Sequence, residues 1–239
     1  MHILKMIPFS VLCAGIFMSP AWSASAPDIR YVVIDPGHTP LKYGATGASG
    51  TVEFDYNTRF SHELAEALEK EQIPFIFSNV RNPELSLTDR VKLTNKNSLF
   101  IAIHHDSVQQ GYCNISYDPC ITDYAAGYSL FVSERNPYFR ASADFAKKIA
   151  RDIRRQGIHP SIHHGEHIPH ENRKLLDESG VYQFDDLIVL KHARSPAVLI
   201  EIGVITNPGD ERNINLKSYR SKIIGSIVKA LKAVMDLRK

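Results

Sequence analysis

The feature that most narrows what this chain can fold into is a set of short apolar runs with no polar residue inside them. Tyr31-Val32-Val33-Ile34, Leu99 to Ile103, Leu130-Phe131-Val132 and Ala197 to Ile200 are of this kind, and Phe75-Ile76-Phe77 is a shorter one. A strand that is apolar at every position is buried on both faces, as strands of parallel sheets are. Between the runs lie stripes at helical spacing. Phe60, Leu64, Ala67 and Leu68 make one, and Phe145, Ile149 and Ile153 mark a helix from about Arg140 to Arg155. Ile223, Ile224, Ile227, Val228, Leu231, Val234 and Met235 stripe a closing helix. Ser86-Leu87-Thr88-Asp89 reads as a capping box opening a helix to about Lys96. The alternation predicts an α/β fold: a single domain, largely parallel central sheet with helices on both faces.

Composition excludes other classes. The 239 residues are 44% hydrophobic and 23% charged, which is ordinary for a globular chain and unlike a disordered one. Lys+Arg number 28 and Asp+Glu 26, a net charge of +2. A protein held to nucleic acid by counterion release carries a larger basic excess, so no nucleic-acid partner is expected. No apolar run reaches the roughly 18 residues of a membrane span, so no transmembrane segment is expected.

The first residues read as an address. Lys5 precedes an apolar stretch from Met6 to Met18, and Ser19-Pro20-Ala21-Trp22-Ser23 offers small residues before a cut after Ser23. Residues 1–23 are therefore expected to be a secretory signal peptide, and 24–239 the working domain. Leu12 stands before Cys13 where a lipid anchor requires a small residue. Two cysteines remain, Cys113 and Cys120, with Tyr117, Asp118 and Pro119 suited to a turn between them. An even pair in an exported chain predicts a disulfide. Two zinc-binding thiolates are the weaker alternative, since six intervening residues is not a usual spacing for them.

Polar residues end several of the apolar runs. His38 follows the first, His104 the third, and Glu201 the last; Glu53 opens the first helix after a loop holding Gly44, Gly47 and Gly50. If the strands are parallel, these side chains gather at the carboxyl edge of the sheet, where open α/β sheets place their sites. Two imidazoles and two carboxylates suit zinc with three protein ligands, leaving one carboxylate free to act as a base. Spacing does not say which carboxylate is free. Nor is every histidine a ligand, and a Glu in a first helical turn is commonly a dipole partner. Glu201 is harder to read as incidental, because a charge inside an apolar run is costly without a partner.

These residues sit in segments that resemble one family. Val32-Val33-Ile34-Asp35-Pro36-Gly37-His38 is similar to the strand and Asp-Pro-Gly-His start of the zinc-dependent N-acetylmuramoyl-L-alanine amidases. Gly44 to Gly50 followed by Glu53-Phe54-Asp55 resembles the family's glycine loop and helix start. Leu87 to Arg90 resembles its Leu-x-x-Arg helix, and Phe100 to Asp106 its histidine-bearing strand end. Pro196 to Gly203, with Asn207, resembles its glutamate block. The matches run in family order from residue 31 toward the C-terminus.

The resemblance implies that His38, Glu53 and His104 bind zinc, one ion per chain, and that Glu201 is the catalytic glutamate. It implies hydrolysis of the amide between N-acetylmuramic acid and the L-alanine of the stem peptide. Peptidoglycan is then the substrate, an activator protein is a further candidate partner, and a secreted, periplasmic monomer is expected. The alternatives are a zinc peptidase acting within the stem peptide and a non-catalytic peptidoglycan-binding module.

Departures from the family pattern mark what is particular to this chain. Phe54 stands where Lys is usual, Ala102 where Ser is usual, and His105-Asp106 where Ala-Asn is usual. Neighbours in a strand point to opposite faces, so only one of His104 and His105 can ligate, and position favours His104. Two segments are insertions. Val108 to Ala126 carries the cysteines; Gly157 to about Glu178 carries His159, His163, His164, His167 and His170, with Glu166 and Glu171. The histidine-rich segment has three readings: a solvated loop on the substrate side, a second metal-binding tract, or a cover over the zinc.

Overall fold

The computed structural model describes residues 27–78, 85–114, 119–165 and 173–235. The signal sequence proposed for residues 1–23, and His167, His170, Glu166 and Glu171 of the histidine-rich segment, lie outside these.

Among the described residues, seven strands form one sheet, and six α-helices flank it. In chain order they are β1 (Tyr31–Pro36), α1 (Glu53–Lys70), β2 (Phe75–Phe77), α2 (Leu87–Arg90), β3 (Ser98–Asp106), β4 (Ser129–Val132) and α3 (Phe139–Arg155). Then follow β5 (Arg173–Asp177), β6 (Val181–Phe184), α4 (Ile188–His192), β7 (Ala197–Val204), α5 (Pro208–Asn215) and α6 (Lys217–Met235). Across the sheet the strands stand β2-β1-β3-β7-β4-β6-β5. The β1–β2, β1–β3, β3–β7 and β4–β6 pairs are parallel. The β4–β7 and β5–β6 pairs are antiparallel. The expected α/β domain is thus present, with strand direction reversing between β7 and β4.

The four longer apolar runs are buried on both faces, and their alternation sorts them, whereas Phe75-Ile76-Phe77 is the edge strand β2 with Ile76 exposed. On one face lie Val32 and Ile34 of β1, Leu99, Ile101 and Ile103 of β3, and Val198 and Ile200 of β7, against Phe60 and Leu64 of α1, Ile149 of α3 and Ile227 of α6. On the other lie Val33, Phe100, Ala102, Phe131 and Leu199, against Val189 and Leu190 of α4. Each fully buried Leu, Ile or Phe contributes roughly 1.5–3 kcal/mol of burial free energy, so this two-sided core fixes the register of the central strands.

Several boundaries differ from the sequence reading. The helix opened at Ser86 does start there, with Ser86 Oγ accepting from the Asp89 amide at 3.1 Å, but α2 closes at Arg90 instead of running to Lys96. Thr94 Oγ1 donates to the Val91 carbonyl at 2.6 Å and the Ser98 amide donates to the Asn95 carbonyl, so local turn bonds replace further helix. The strand read as Leu99 to Ile103 continues to Asp106, which carries both histidines within β3. The end of the segment from Gly157 to about Glu178, where the sequence predicts no element, pairs as edge strand β5.

Candidate metal centre

The centre is built from the end of β1, the start of α1, and the ends of β3 and β7. Glu53 occupies the first turn of α1 and is buried. Its Oε2 lies 2.8 Å from His38 Nε2, and its Oε1 lies 3.0 Å from His104 Nδ1. The two imidazole rings meet edge to face with centroids 5.0 Å apart. Burial pushes the Glu53 carboxyl up, but His104 and His38 outweigh it and hold the group well below the usual carboxylate range. One oxygen from Glu53 and one nitrogen from each histidine lie within 4.8 Å of one another. Two imidazoles and one ionised carboxylate on three rigid elements can hold a divalent cation.

The local backbone is shaped to bring these groups together. Gly37 passes so close to the His104 ring that a Cβ there would overlap it. Gly44 has φ +80°, and a Cβ on it would fall onto Glu53 Oε2 and the His38 ring. Both positions therefore require glycine. His38 itself has φ 68°, a conformation L-residues seldom adopt.

Arg90 holds this turn: Nη1 donates to Asp35 Oδ1 and to the Pro36 carbonyl, each at 2.8 Å, and Nη2 donates to the His38 carbonyl. Sequence reasoning placed Arg90 in a motif but gave it no role. Asn57, one turn along α1, was missed altogether. Its Nδ2 donates to Glu53 Oε1 at 3.1 Å and to the Gly37 carbonyl at 3.2 Å. The spacing Glu53 to Asn57, one helical turn, was the available signal.

Of the two neighbouring histidines, only His104 turns toward Glu53. His105 points to the other face and is 2% exposed, between Tyr56 and Phe60. Its Nδ1 lies 2.8 Å from Asn57 Oδ1, and burial pushes its pKa down to about 3. It is a neutral core residue that braces the helix carrying Glu53.

Glu201 stands directly across from His104 in the β3–β7 register and from Ser129 in the β7–β4 register. Its Oε2 is buried and has no hydrogen-bond partner among the described residues. Burial, then the nearby charges of Asp106 and Glu53, push its carboxyl well above the usual range, with Arg173 opposing. The structure thus brings His38, Glu53 and His104 into mutual contact, and puts Glu201 on the adjacent strand as a carboxyl with high proton affinity.

Where it is described, the histidine-rich segment is part exposed and part buried: His159, Ile162 and Gly165 face solvent. His164 is 3% exposed and lies against Asp106, at the end of β3, with its ring over Phe131. Cys113 and Cys120, of the other insertion, have Cα atoms 5.5 Å apart with their sulfurs at bonding distance.

Comparison with known proteins places the chain in a family. The family described as N-acetylmuramoyl-L-alanine amidase matches residues 32–233. The probable cell wall amidase LytH of Staphylococcus epidermidis is 28% identical over 205 residues, covering 85% of this chain and 57% of that protein. The chain therefore spans little more than half the length of that relative. The N-acetylmuramoyl-L-alanine amidase AmiA of Salmonella typhimurium is 26% identical over 228 residues, covering 84% of this chain and 75% of that one. The crystal structure of an N-acetylmuramoyl-L-alanine amidase from Clostridium difficile 630 has the same fold, with a TM-score of 0.67 at 22% identity, covering 89% of this chain and 100% of that one.

Proposed function

This chain belongs to the N-acetylmuramoyl-L-alanine amidase family, and from that membership we propose that it hydrolyses the amide joining the lactyl group of N-acetylmuramic acid to the L-alanine of the stem peptide. The observation that carries the reading is the three-donor cluster of His38, Glu53 and His104 beside a half-buried, proton-avid Glu201 whose Oε2 is shielded from solvent. The donor set of two imidazoles and one carboxylate fits zinc, and His38, Glu53 and His104 are its proposed ligands. A bound zinc ion supplies Lewis-acid polarisation of the scissile carbonyl and lowers the pKa of water toward neutrality.

The chain's own residues do the rest. Glu201 takes a proton from the attacking water and returns it to the leaving alanine nitrogen. Its environment favours that cycle, since burial and two neighbouring carboxylates raise its proton affinity. Asn57 and Arg90 keep Glu53 and His38 in place during turnover. Retention of all four site residues favours an enzyme over a peptidoglycan-binding module that has lost its chemistry.

The enzyme is proposed to act outside the cytoplasm as a monomer, with the Cys113–Cys120 bond formed on export. No helix among the described residues is long and apolar enough to cross a membrane. Mass spectrometry of digested peptidoglycan tests the reaction. Peptide-free glycan together with intact stem peptides is the expected product pair. Shortened peptides still attached to muramic acid would identify a stem-peptide peptidase instead.

A further inference from the structure

We propose a second divalent-cation site beside the first, built from Asp106, His163 and His164, with zinc as its cation. One ligand atom from each of these side chains lies within 4.8 Å of the others. His164 Nε2 stands 2.8 Å and His163 Nε2 3.4 Å from Asp106 Oδ2. At zinc–ligand distances of roughly 2.0–2.2 Å, neighbouring donors of a tetrahedral site lie about 3.3 Å apart, so this spacing needs little adjustment.

Burial adds a separate observation. His164 Nε2 and Asp106 Oδ2 face each other at 2.8 Å with neither atom exposed to solvent. A buried carboxylate is costly unless it is paired, and a cation held between the two atoms would pair it more fully than a neutral imidazole does. The ligands rest on firm supports. Asp106 ends β3 and its Oδ1 accepts from the Ser107 amide; His163 Nδ1 is 2.7 Å from the buried Ser161 hydroxyl; His164 packs on Phe131 and Tyr182.

One neighbour opposes the cation. Arg173 Nη1 lies against His164 Nδ1. A guanidinium has only donors, whereas an imidazole that ligates through Nε2 carries its hydrogen on Nδ1. Arg173 and the cation therefore compete for the same imidazole, and the site binds more weakly than the one at Glu53.

The site does not depend on the amidase reaction, and its test reads metal rather than turnover. The full exported chain, without a histidine tag and stripped of metal, is titrated with zinc against a chromophoric chelator. Two equivalents are expected, one tight and one weaker. His163→Ala and Asp106→Asn should each abolish the weaker equivalent alone, while His104→Ala abolishes the tight one. Arg173→Gln should tighten the weaker equivalent by about tenfold, the scale of changes beside a metal ligand. Saturation at a single equivalent would overturn the proposal. So would a second equivalent that survives in both the His163 and Asp106 variants, since it would then reside elsewhere. Loss of the tight equivalent in the His163 variant would mean that the two clusters form one site. Should Asp106→Asn fail to fold, the His163 and Arg173 variants still decide the matter. A failed amidase assay would leave this stoichiometry unaffected, so the two readings fall separately.

Discussion

At the residue scale, substitution should separate the roles proposed for His38, Glu53, His104 and Glu201. Glu201→Gln keeps shape and hydrogen-bonding capacity but cannot accept a proton. Amide cleavage should fall by about 10²–10⁴-fold, the usual worth of a general base, while the tight zinc stays bound. Native turnover in that variant would put the base elsewhere, and loss of the zinc would make Glu201 a ligand. His104→Ala should release the tight zinc, whereas His105→Ala should keep it and lose stability instead.

His105 also predicts a pH response of the fold. Its folded pKa of about 3 lies below its ordinary value of 6.5, so only the unfolded chain takes up the proton between them. Stability from this group is complete above about pH 6.5 and declines toward pH 3, at no more than about 1.4 kcal/mol per pH unit. Urea melts of the native chain and of His105→Gln across that range should show a shallower slope in the variant. Parallel slopes would mean that other groups dominate acid unfolding.

At the scale of elements, α2 has a task out of proportion to its length. Arg90, at its end, makes a buried ion pair with Asp35 and caps the turn that presents His38. Removing one partner of a buried pair strands the other, at a cost of about 3–5 kcal/mol. Arg90→Ala should therefore lower the melting temperature and weaken zinc binding together; unchanged zinc affinity would confine Arg90 to stability. The cysteine loop should behave differently. Closing so short a loop contributes at most roughly 2–3 kcal/mol, so the Cys113→Ser/Cys120→Ser double variant should fold with a lower midpoint. Intact mass before and after reduction should differ by two hydrogens, and free thiols in freshly exported protein would count against the bond.

The central strands and the long helices were legible because each apolar run and each helical stripe repeats a single period. The gathering of His38, Glu53, His104 and Glu201 at one edge of the sheet was legible too, each standing at the end or start of such a segment. What stayed hidden was set by tertiary contact. Edge strand β5 has a mixed pattern, with Lys174 and Leu175 exposed and Leu176 half-buried, so no period marks it. α4 and α5 are short and carry no stripe long enough to read. Arg90 is a polar residue whose partners Asp35, Pro36 and His38 lie far along the chain, and no local pattern announces a buried bond of that kind; Asn57 showed only its one-turn spacing from Glu53, which many helical pairs share. His164 was visible as one of several histidines, but its burial against Asp106 depends on where the insertion folds back.

For the whole molecule, chelation should abolish cleavage and zinc should restore it. Elemental analysis finding active protein without zinc would sink the metal assignment. The reversal of strand direction between β7 and β4 has a consequence of another kind. Ser129, the first residue of β4, pairs with Glu201 near the end of β7, and Pro160 bridges to Tyr128 just before β4. The chain thus enters β4, and begins its histidine-rich excursion, at the rim where β1, β3 and β7 finish. His38, Glu53, His104 and Glu201 all come from other connections. Neither the cysteine-bearing nor the histidine-rich segment lies on a connection that supplies those four residues. The molecule is laid out like a tool with a fixed blade and two separate jaws: the four proposed site residues stand on one set of connections, and the cysteine-bearing and histidine-rich segments on another.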